Sequence, residues 1–496
     1  MTPELLIVGS GIMGAAVAAE VRRLRPHTRI TMVEAGPLLG TVPAQHLHDV
    51  AEESERASYN ANVAAGVQSM YVGAATAGHF SDRASAAPGL YAFGALGHRS
   101  DAMPAAASAW NVGGMGSRWT AACPTPWGSE IPTFISPAEW ADDYDRTRRL
   151  LRVTTDRFGP TPAGSAVIDA LTDAFGAVSA PGRGPQIMPM AVSGSSAGGL
   201  RRTDPGRIFP EIVAGSELFE LIPDALARRI LVDGDRARGV EIADPTGATR
   251  VVEASAVVVC ADALRSPQLL FASGIRPPAL GRYLNEHAFL TGRVFAEPGT
   301  LGVGGVPIPR PGEWMSDSLW LPHSGSAQPF HWQVSVGPLY SDDLTDAVAM
   351  AVSISVYVPT TVRAESRIEF SDTETDAAGM PLAHIVYEYT DEDLALIERA
   401  REQQQRAFEA VGGADALADT LLLPPGSSLH YSGTVRMGAA DDGTSVTDPE
   451  GRVWGVQGLY AAGNGVLPTA VVANVTPAGT VTAVRAGRSV AAALGE

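Results

Sequence analysis

Residues 5–34 constrain this chain more than any other stretch. Leu5-Leu6-Ile7-Val8 reads as a buried strand, and Gly9-Ser10-Gly11-Ile12-Met13-Gly14 is G-x-G-x-x-G. A helix rich in Ala and Val follows from Gly14 to about Leu24, and Ile30-Thr31-Met32-Val33 reads as a second strand ending at Glu34. The first glycine allows a tight turn, the second lets backbone approach a pyrophosphate, and the third lets the helix pack on the strand. The free N–H groups of the helix N-terminus then stabilise phosphate charge. Glu34 lies 20 residues after Gly14, placed to accept the hydroxyls of a ribose. An isolated G-x-G-x-x-G is often only a structural turn. With strand, helix and acid in register it predicts dinucleotide binding by a Rossmann-type domain, without separating FAD from NAD.

At 496 residues the chain exceeds one hydrophobic core, so two domains are expected. Residues 230–260 alternate like strands and end in the run Ala256-Val257-Val258-Val259. Gln333–Val336 and Ala349–Val358 alternate clearly and fit an antiparallel sheet. Thr390 with Asp393 forms a capping-box pattern opening a helix through Leu394, Ile397, Ala400 and Phe408. The acids Asp391-Glu392-Asp393 complement that helix dipole and carry no catalytic meaning. A small-residue helix follows Thr476. Residues 75–108, rich in Gly, Ala, Ser and Pro, read as a long mobile loop or lid.

A formal charge of -18 argues against nucleic acid and anionic lipid as partners. No apolar run is long enough for a membrane helix, and no basic, cleavable leader precedes the first strand. The only cysteines, Cys123 and Cys260, fit a reducing compartment, so a cytoplasmic location is expected. Both cysteines read as small buried residues. No metal site is expected: His46 and His48 lie two apart without a third ligand and read as part of a solvated loop.

Two further segments distinguish the cofactors. One is Trp110-Asn111-Val112-Gly113-Gly114-Met115-Gly116-Ser117-Arg118-Trp119. The other runs from Leu429-His430-Tyr431-Ser432-Gly433-Thr434-Val435-Arg436-Met437-Gly438 to Asn474-Val475-Thr476-Pro477. With the N-terminal fingerprint they resemble the glucose-methanol-choline (GMC) oxidoreductase family, and within it the pyranose 2-oxidase branch. Intermediate pieces agree: Leu264–Leu270 with Ser273-Gly274 resembles the family's second signature, Gly281–His287 the segment after it, and Asp376–Pro381 a turn of the substrate sheet. Asp262 departs from the pattern, standing where family members commonly have glycine.

The resemblance implies an α/β fold: a discontinuous FAD-binding domain of residues 1–124, 208–296 and 430–496, and a substrate domain of antiparallel sheet and helices from 125–207 and 297–429. It implies an FAD-dependent oxidoreductase that oxidises a secondary hydroxyl, on carbon 2 or carbon 3, of a sugar ring or glycoside, with oxygen or a quinone as electron acceptor. His430 is the expected base, since imidazole titrates near neutral pH. Asn474, 44 residues on, matches the family's partner position, and an amide holds an oxygen without competing for its proton. Without the motif, His430 would read as a core histidine and Asn474 as a turn residue before Pro477. Cofactor contacts are expected from Gly9, Gly11, Gly14 and Glu34, and, by resemblance, from Gly114, Met115, Ser117, Arg118, Asn474 and Thr476. Covalently flavinylated members have histidine at the place of Arg118. A guanidinium stays protonated and cannot be that nucleophile, so FAD is expected to bind non-covalently. Trp119 reads equally as a neighbour of the flavin or as ordinary packing, and Trp332 as core more readily than as a sugar platform. The alternatives are an alcohol or sterol oxidase on the same fold and a redox-silent flavin-binding protein; a NAD-linked dehydrogenase is disfavoured by the closing motif.

Overall fold

Short runs of apolar, mostly branched residues with no polar alternation suit a parallel sheet covered on both faces. Leu5–Val8, Ile30–Val33 and Ala256–Val259 are such runs, and every residue in them is buried. They pair in parallel, with Leu459–Ala461 at one edge and Phe219–Ile222 at the other. This computed structural model describes residues 4–50, 90–195, 199–296, 317–340, 347–412 and 420–495. Helix Ile12–Leu24 makes the crossover after the first strand, starting two residues before the sequence suggests, with Gly11 as its extended N-cap. Helix Thr476–Ala493 packs against it.

The second large layer is a six-stranded antiparallel sheet. Its order is Leu421–Leu422, Ala288–Ala296, Ala347–Val358, His331–Tyr340, Asp317–Leu321, Gln186–Ile187. Period-two alternation sorts its side chains. Trp332, Val334, Val336, Val352, Ile354 and Val356 form a core with helices Pro162–Phe175 and Asp391–Ala410. Trp332 meets Phe175 edge-on at 4.9 Å, so it is core and no sugar platform. The capping box forms as read: Asp393 N–H donates to Thr390 Oγ1 at 3.1 Å, and Thr390 N–H to the Asp393 carboxylate at 2.8 Å.

Three expectations change. Ala288–Ala296 hydrogen-bonds along its length to Ala347–Val358, so it belongs to the antiparallel sheet and the expected boundary after residue 296 cuts through that layer. Helix Pro137–Leu151, expected in the substrate domain, packs on Thr476–Ala493, where buried Asp143 pairs with Arg485 at 2.7 Å and Arg488 at 2.6 Å. Of the expected lid, residues 75–89 lie outside the described residues, and 90–108 are no lid. Leu90–Ala92 pairs with Ala107–Ala109, and Phe93, Leu96 and Met103 are fully buried anchors. No helix among the described residues is long and apolar enough to cross a membrane.

Candidate active site

The glycine turn closes as its spacing predicts. Gly9 has φ +105°, and a Cβ there would stand 2.4 Å from the Cys260 carbonyl oxygen. A Cβ on Gly14 would stand 2.0 Å from the Gly9 carbonyl oxygen, so helix and strand could not approach. Gly11 is different: its nearest neighbour is the Gly113 carbonyl at 3.8 Å, and the helix it opens has no side-chain cap. The first-turn N–H groups are thus left for a ligand. Glu34 is buried at the end of its strand. It accepts from Ser10 N–H at 3.0 Å, Ser10 Oγ at 2.7 Å and Gly36 N–H at 3.2 Å. Burial pushes its carboxyl up to about 6, and the Ser10 bonds oppose that rise. Ser10 Oγ in turn accepts from Gly113 N–H at 2.9 Å, which ties the fingerprint to the Gly113-Gly114 turn. Sequence reasoning gave Ser10 no role.

A cavity of about 470 Å³ extends from Glu34 past Gly9, Gly11, Gly114 and Met115. Arg118, Trp119 and Thr476 line it further along, and His430 and Asn474 share its wall. Two expected contacts lie off that wall. Gly14 serves packing. Ser117 is fully buried, its hydroxyl donating to the Gly114 carbonyl at 2.8 Å while accepting from Asn111 and Arg118, both at 3.1 Å. Arg118 also donates to Asn111 Oδ1 at 2.6 Å. His46, expected in a solvated loop, is fully buried with Nε2 2.8 Å from the Trp119 carbonyl. Cys123 is buried, whereas Cys260 borders the cavity.

Asp262 also lines the cavity, and its geometry accounts for the departure from glycine. Its φ is +59°, a left-handed position that favours glycine and that Asp tolerates better than most residues. One carboxylate oxygen accepts from Leu264 N–H at 2.7 Å and Arg265 N–H at 2.9 Å, capping helix Asp262–Ala272; the other accepts from Ser108 Oγ at 2.5 Å. Just beyond, Arg265 is buried against Asp376 at 3.2 Å.

At the other end of the cavity, the residue before His430, Leu429, sits at φ +59°, a conformation that costs energy and is common at functional sites. His430 N–H is 3.3 Å from buried Glu286, which also accepts from Ser428 Oγ. The His430 ring lies 5.3 Å from the Tyr357 ring and crosses the His287 ring at 88°. Nε2 is 3.3 Å from Asn474 Nδ2, and Nδ1 is 3.2 Å from His287 Nδ1. Asn474 Oδ1 accepts from Gln333 Nε2 at 2.6 Å, and Gln333 Oε1 accepts from Tyr357 OH at 3.2 Å. The structure thus brings His430 and Asn474 together as expected, and adds His287, Gln333 and Tyr357, which were not singled out. For Gln333 a signal existed: alternation puts it and His331 opposite Trp332 on their strand. Burial pushes His287 down to about 4 and His331 to about 3. Burial, then repulsion from His287 and His331, holds His430 well below the ordinary imidazole range. A neutral His430 keeps one ring nitrogen able to accept a proton.

Two family models, both described as GMC oxidoreductase, match residues 201–289 and 362–483. A C-glycoside 3-oxidase of Microbacterium trichothecenolyticum is 38% identical over 98% of this chain and 96% of its own length. A pyranose 2-oxidase of Tricholoma matsutake is 25% identical over 76% of this chain and 72% of its own. Among solved structures, pyridoxine 4-oxidase from Mesorbium loti superposes with a TM-score of 0.63 at 18% identity, covering 98% of this chain and 99% of that one.

Proposed function

This chain belongs to the GMC oxidoreductase family, and from that premise we propose that it oxidises a secondary ring hydroxyl, on carbon 2 or carbon 3, of a sugar or glycoside, with FAD as cofactor. The observation that carries this reading is His430 Nε2 3.3 Å from Asn474 Nδ2 on the wall of the cavity that the glycine fingerprint opens. The full-length relatives named C-glycoside 3-oxidase favour carbon 3.

The residues present fit FAD. The uncapped helix after Gly11 suits the diphosphate, and the Glu34 carboxylate suits ribose hydroxyls. Gly114, Met115, Arg118 and Thr476 line the stretch between that end and His430. When bound, the flavin supplies the acceptor for the hydride leaving the C–OH carbon. His430 Nε2 takes the hydroxyl proton, and Asn474 Nδ2 donates to the same oxygen and orients it. Tyr357 lines the cavity beside this pair, and His331 is fully buried.

The test is anaerobic mixing of the purified holoenzyme with a panel of sugars and glycosides, followed by product NMR. Bleaching of the flavin by a glycoside with a keto product at carbon 3 or 2 is the expected result. Bleaching only by a simple alcohol or sterol, or by nothing in the panel, overturns the reading. Oxygen and a benzoquinone are the proposed acceptors, read by which one restores the colour of the reduced enzyme. The free cysteines Cys123 and Cys260 support a reducing, cytoplasmic setting.

The cofactor is proposed to be held without a covalent bond, because Arg118 offers no nucleophile. Acid precipitation is expected to release all yellow colour into the supernatant. Flavin remaining with the denatured chain contradicts this.

A further inference from the structure

The orientation of the base is settled one residue behind the cavity wall. His287 does not line the cavity. Its Nε2 lies 2.5 Å from the Val471 carbonyl oxygen, which can only accept, so Nε2 carries hydrogen. A neutral imidazole has one such hydrogen, which leaves His287 Nδ1 as a bare lone pair. That lone pair faces His430 Nδ1 at 3.2 Å, a contact that two lone pairs would not hold. His430 Nδ1 is therefore the protonated nitrogen, and its Nε2 is the bare one, turned to the cavity and to Asn474 Nδ2.

The remaining bonds point the same way. Asn474 donates through Nδ2, so its Oδ1 is free to accept, and Gln333 Nε2 donates to it. Gln333 Oε1 then accepts from Tyr357 OH. One direction of donation runs unbroken from Tyr357 through Gln333, Asn474, His430 and His287 to the Val471 carbonyl, and reversing any one link breaks its neighbour.

We infer that His287 is a positioning residue which, anchored on the Val471 carbonyl, holds the proton on Nδ1 of His430 and thereby keeps Nε2 as the acceptor of the substrate proton. The inference rests on the reading of His430 as the base, and it adds what selects the working nitrogen. When Nε2 takes the proton, the imidazolium keeps both N–H groups bonded, Nδ1–H to His287 and Nε2–H to the new alkoxide oxygen. No proton needs to leave through His287. The other groups facing His430 are Glu286, through the backbone N–H, and the Tyr357 and His331 rings. None of them supplies an acceptor at Nδ1.

The experiment labels the holoenzyme with ring-15N histidine and assigns His430 by the resonances lost in His430→Gln. Protonated and bare ring nitrogens differ clearly in 15N shift. The wild type is expected to show Nδ1 protonated and Nε2 bare; the opposite pattern overturns the inference and needs no variant of His287. In His287→Phe the two states are expected to exchange places or mix, and anaerobic flavin reduction to slow about 10- to 100-fold, the scale known for losing the hydrogen-bond partner that orients a metal-bound histidine. His287→Asn, whose Oδ1 can accept from His430 Nδ1, is expected to recover most of that loss. Reduction by His287→Phe at the wild-type rate, with folded, flavin-loaded enzyme, overturns the assignment. Because the spectrum is read without substrate, it can fail while a glycoside still bleaches the flavin, and the reverse, so the two readings fail separately.

Discussion

His430→Ala is expected to keep its FAD and to lose flavin reduction by about 10²–10⁴-fold, the scale of general base catalysis. Most of the proposed cofactor contacts lie on the fingerprint and the Gly113-Gly114 turn, at the other end of the cavity from the imidazole, so FAD is expected to stay bound when the base is removed. Raising the pH is expected to restore part of the rate, since an alcohol ionised by solvent needs no base. Asn474→Ala is expected to slow reduction without that rescue, because its amide orients the oxygen and carries no proton. If His430 only filled the core, the variant would lose folding stability while each folded molecule reduced normally. Stopped-flow reduction across pH, corrected for flavin content, separates these patterns, and near-wild-type reduction by His430→Ala would end the base assignment.

Asp376→Ala is expected to cost about 3–5 kcal/mol of folding stability, the penalty for stranding one partner of a buried ion pair. Asp376 is fully buried, and one of its oxygens meets Arg265 Nη1 at 3.2 Å and Gln268 Nε2 at 3.2 Å. His98 joins them: Ala383 N–H donates to its Nδ1, so its Nε2 carries the proton and faces Asp376 at 3.3 Å. The other oxygen accepts from Ala378 and Met380 N–H, both at 2.9 Å. Without the carboxylate, Arg265 keeps its bond to Gln268 Oε1 at 2.8 Å and the Trp110 and Phe93 rings at 4.9 and 5.1 Å, but loses the buried countercharge of Asp376. Although burial opposes ionisation, the bonds from His98 and the charge of Arg265 hold the Asp376 carboxyl down at about 2. A depressed carboxyl contributes its full stability above the ordinary carboxylate range and loses it as pH falls through about 2. That drop corresponds to about 2 kcal/mol. Denaturant melts at fixed FAD concentration are therefore expected to show a gap between wild type and variant that narrows from pH 5 towards pH 2. A gap below about 1 kcal/mol at neutral pH would contradict the assignment.

What the sequence could reveal was local or carried by motif. The strand–turn–helix–strand run to Glu34 and the Thr390–Asp393 cap are fixed by neighbours within a few residues, and both form, the helix of that run starting two residues earlier than read. The pairing of His430 with Asn474 came from resemblance; no spacing rule predicts that the chain returns to 3.3 Å 44 positions on. His287 was invisible for the same reason, since its partner lies 143 residues away. The misreading of 90–108 has a different cause. Its small residues suggest slack, yet Ala105, Ala106 and Ala107 are buried, and their backbone lies so close to Gly426 that a Cβ there would stand 2.4 Å from Ala106 N. Ala288–Ala296 follows the family-like segment directly, and nothing in its residues marks the passage from one layer to the other.

The parallel sheet has a consequence for how this protein is made. Its middle strand, Leu5–Val8, is made long before one of its two partners, Ala256–Val259, and longer still before the helix packed over its crossover, Thr476–Ala493. At about 5–20 residues per second, the nascent chain holds an unpaired, wholly apolar strand edge for roughly 10–50 s before residue 259 is added, and waits roughly 25–100 s for the closing helix. Loop closure over such separations cannot begin earlier, however favourable the final packing. The cofactor cleft is thus a late product of synthesis, and chains released before residue 476 leave helix Ile12–Leu24 without its cover.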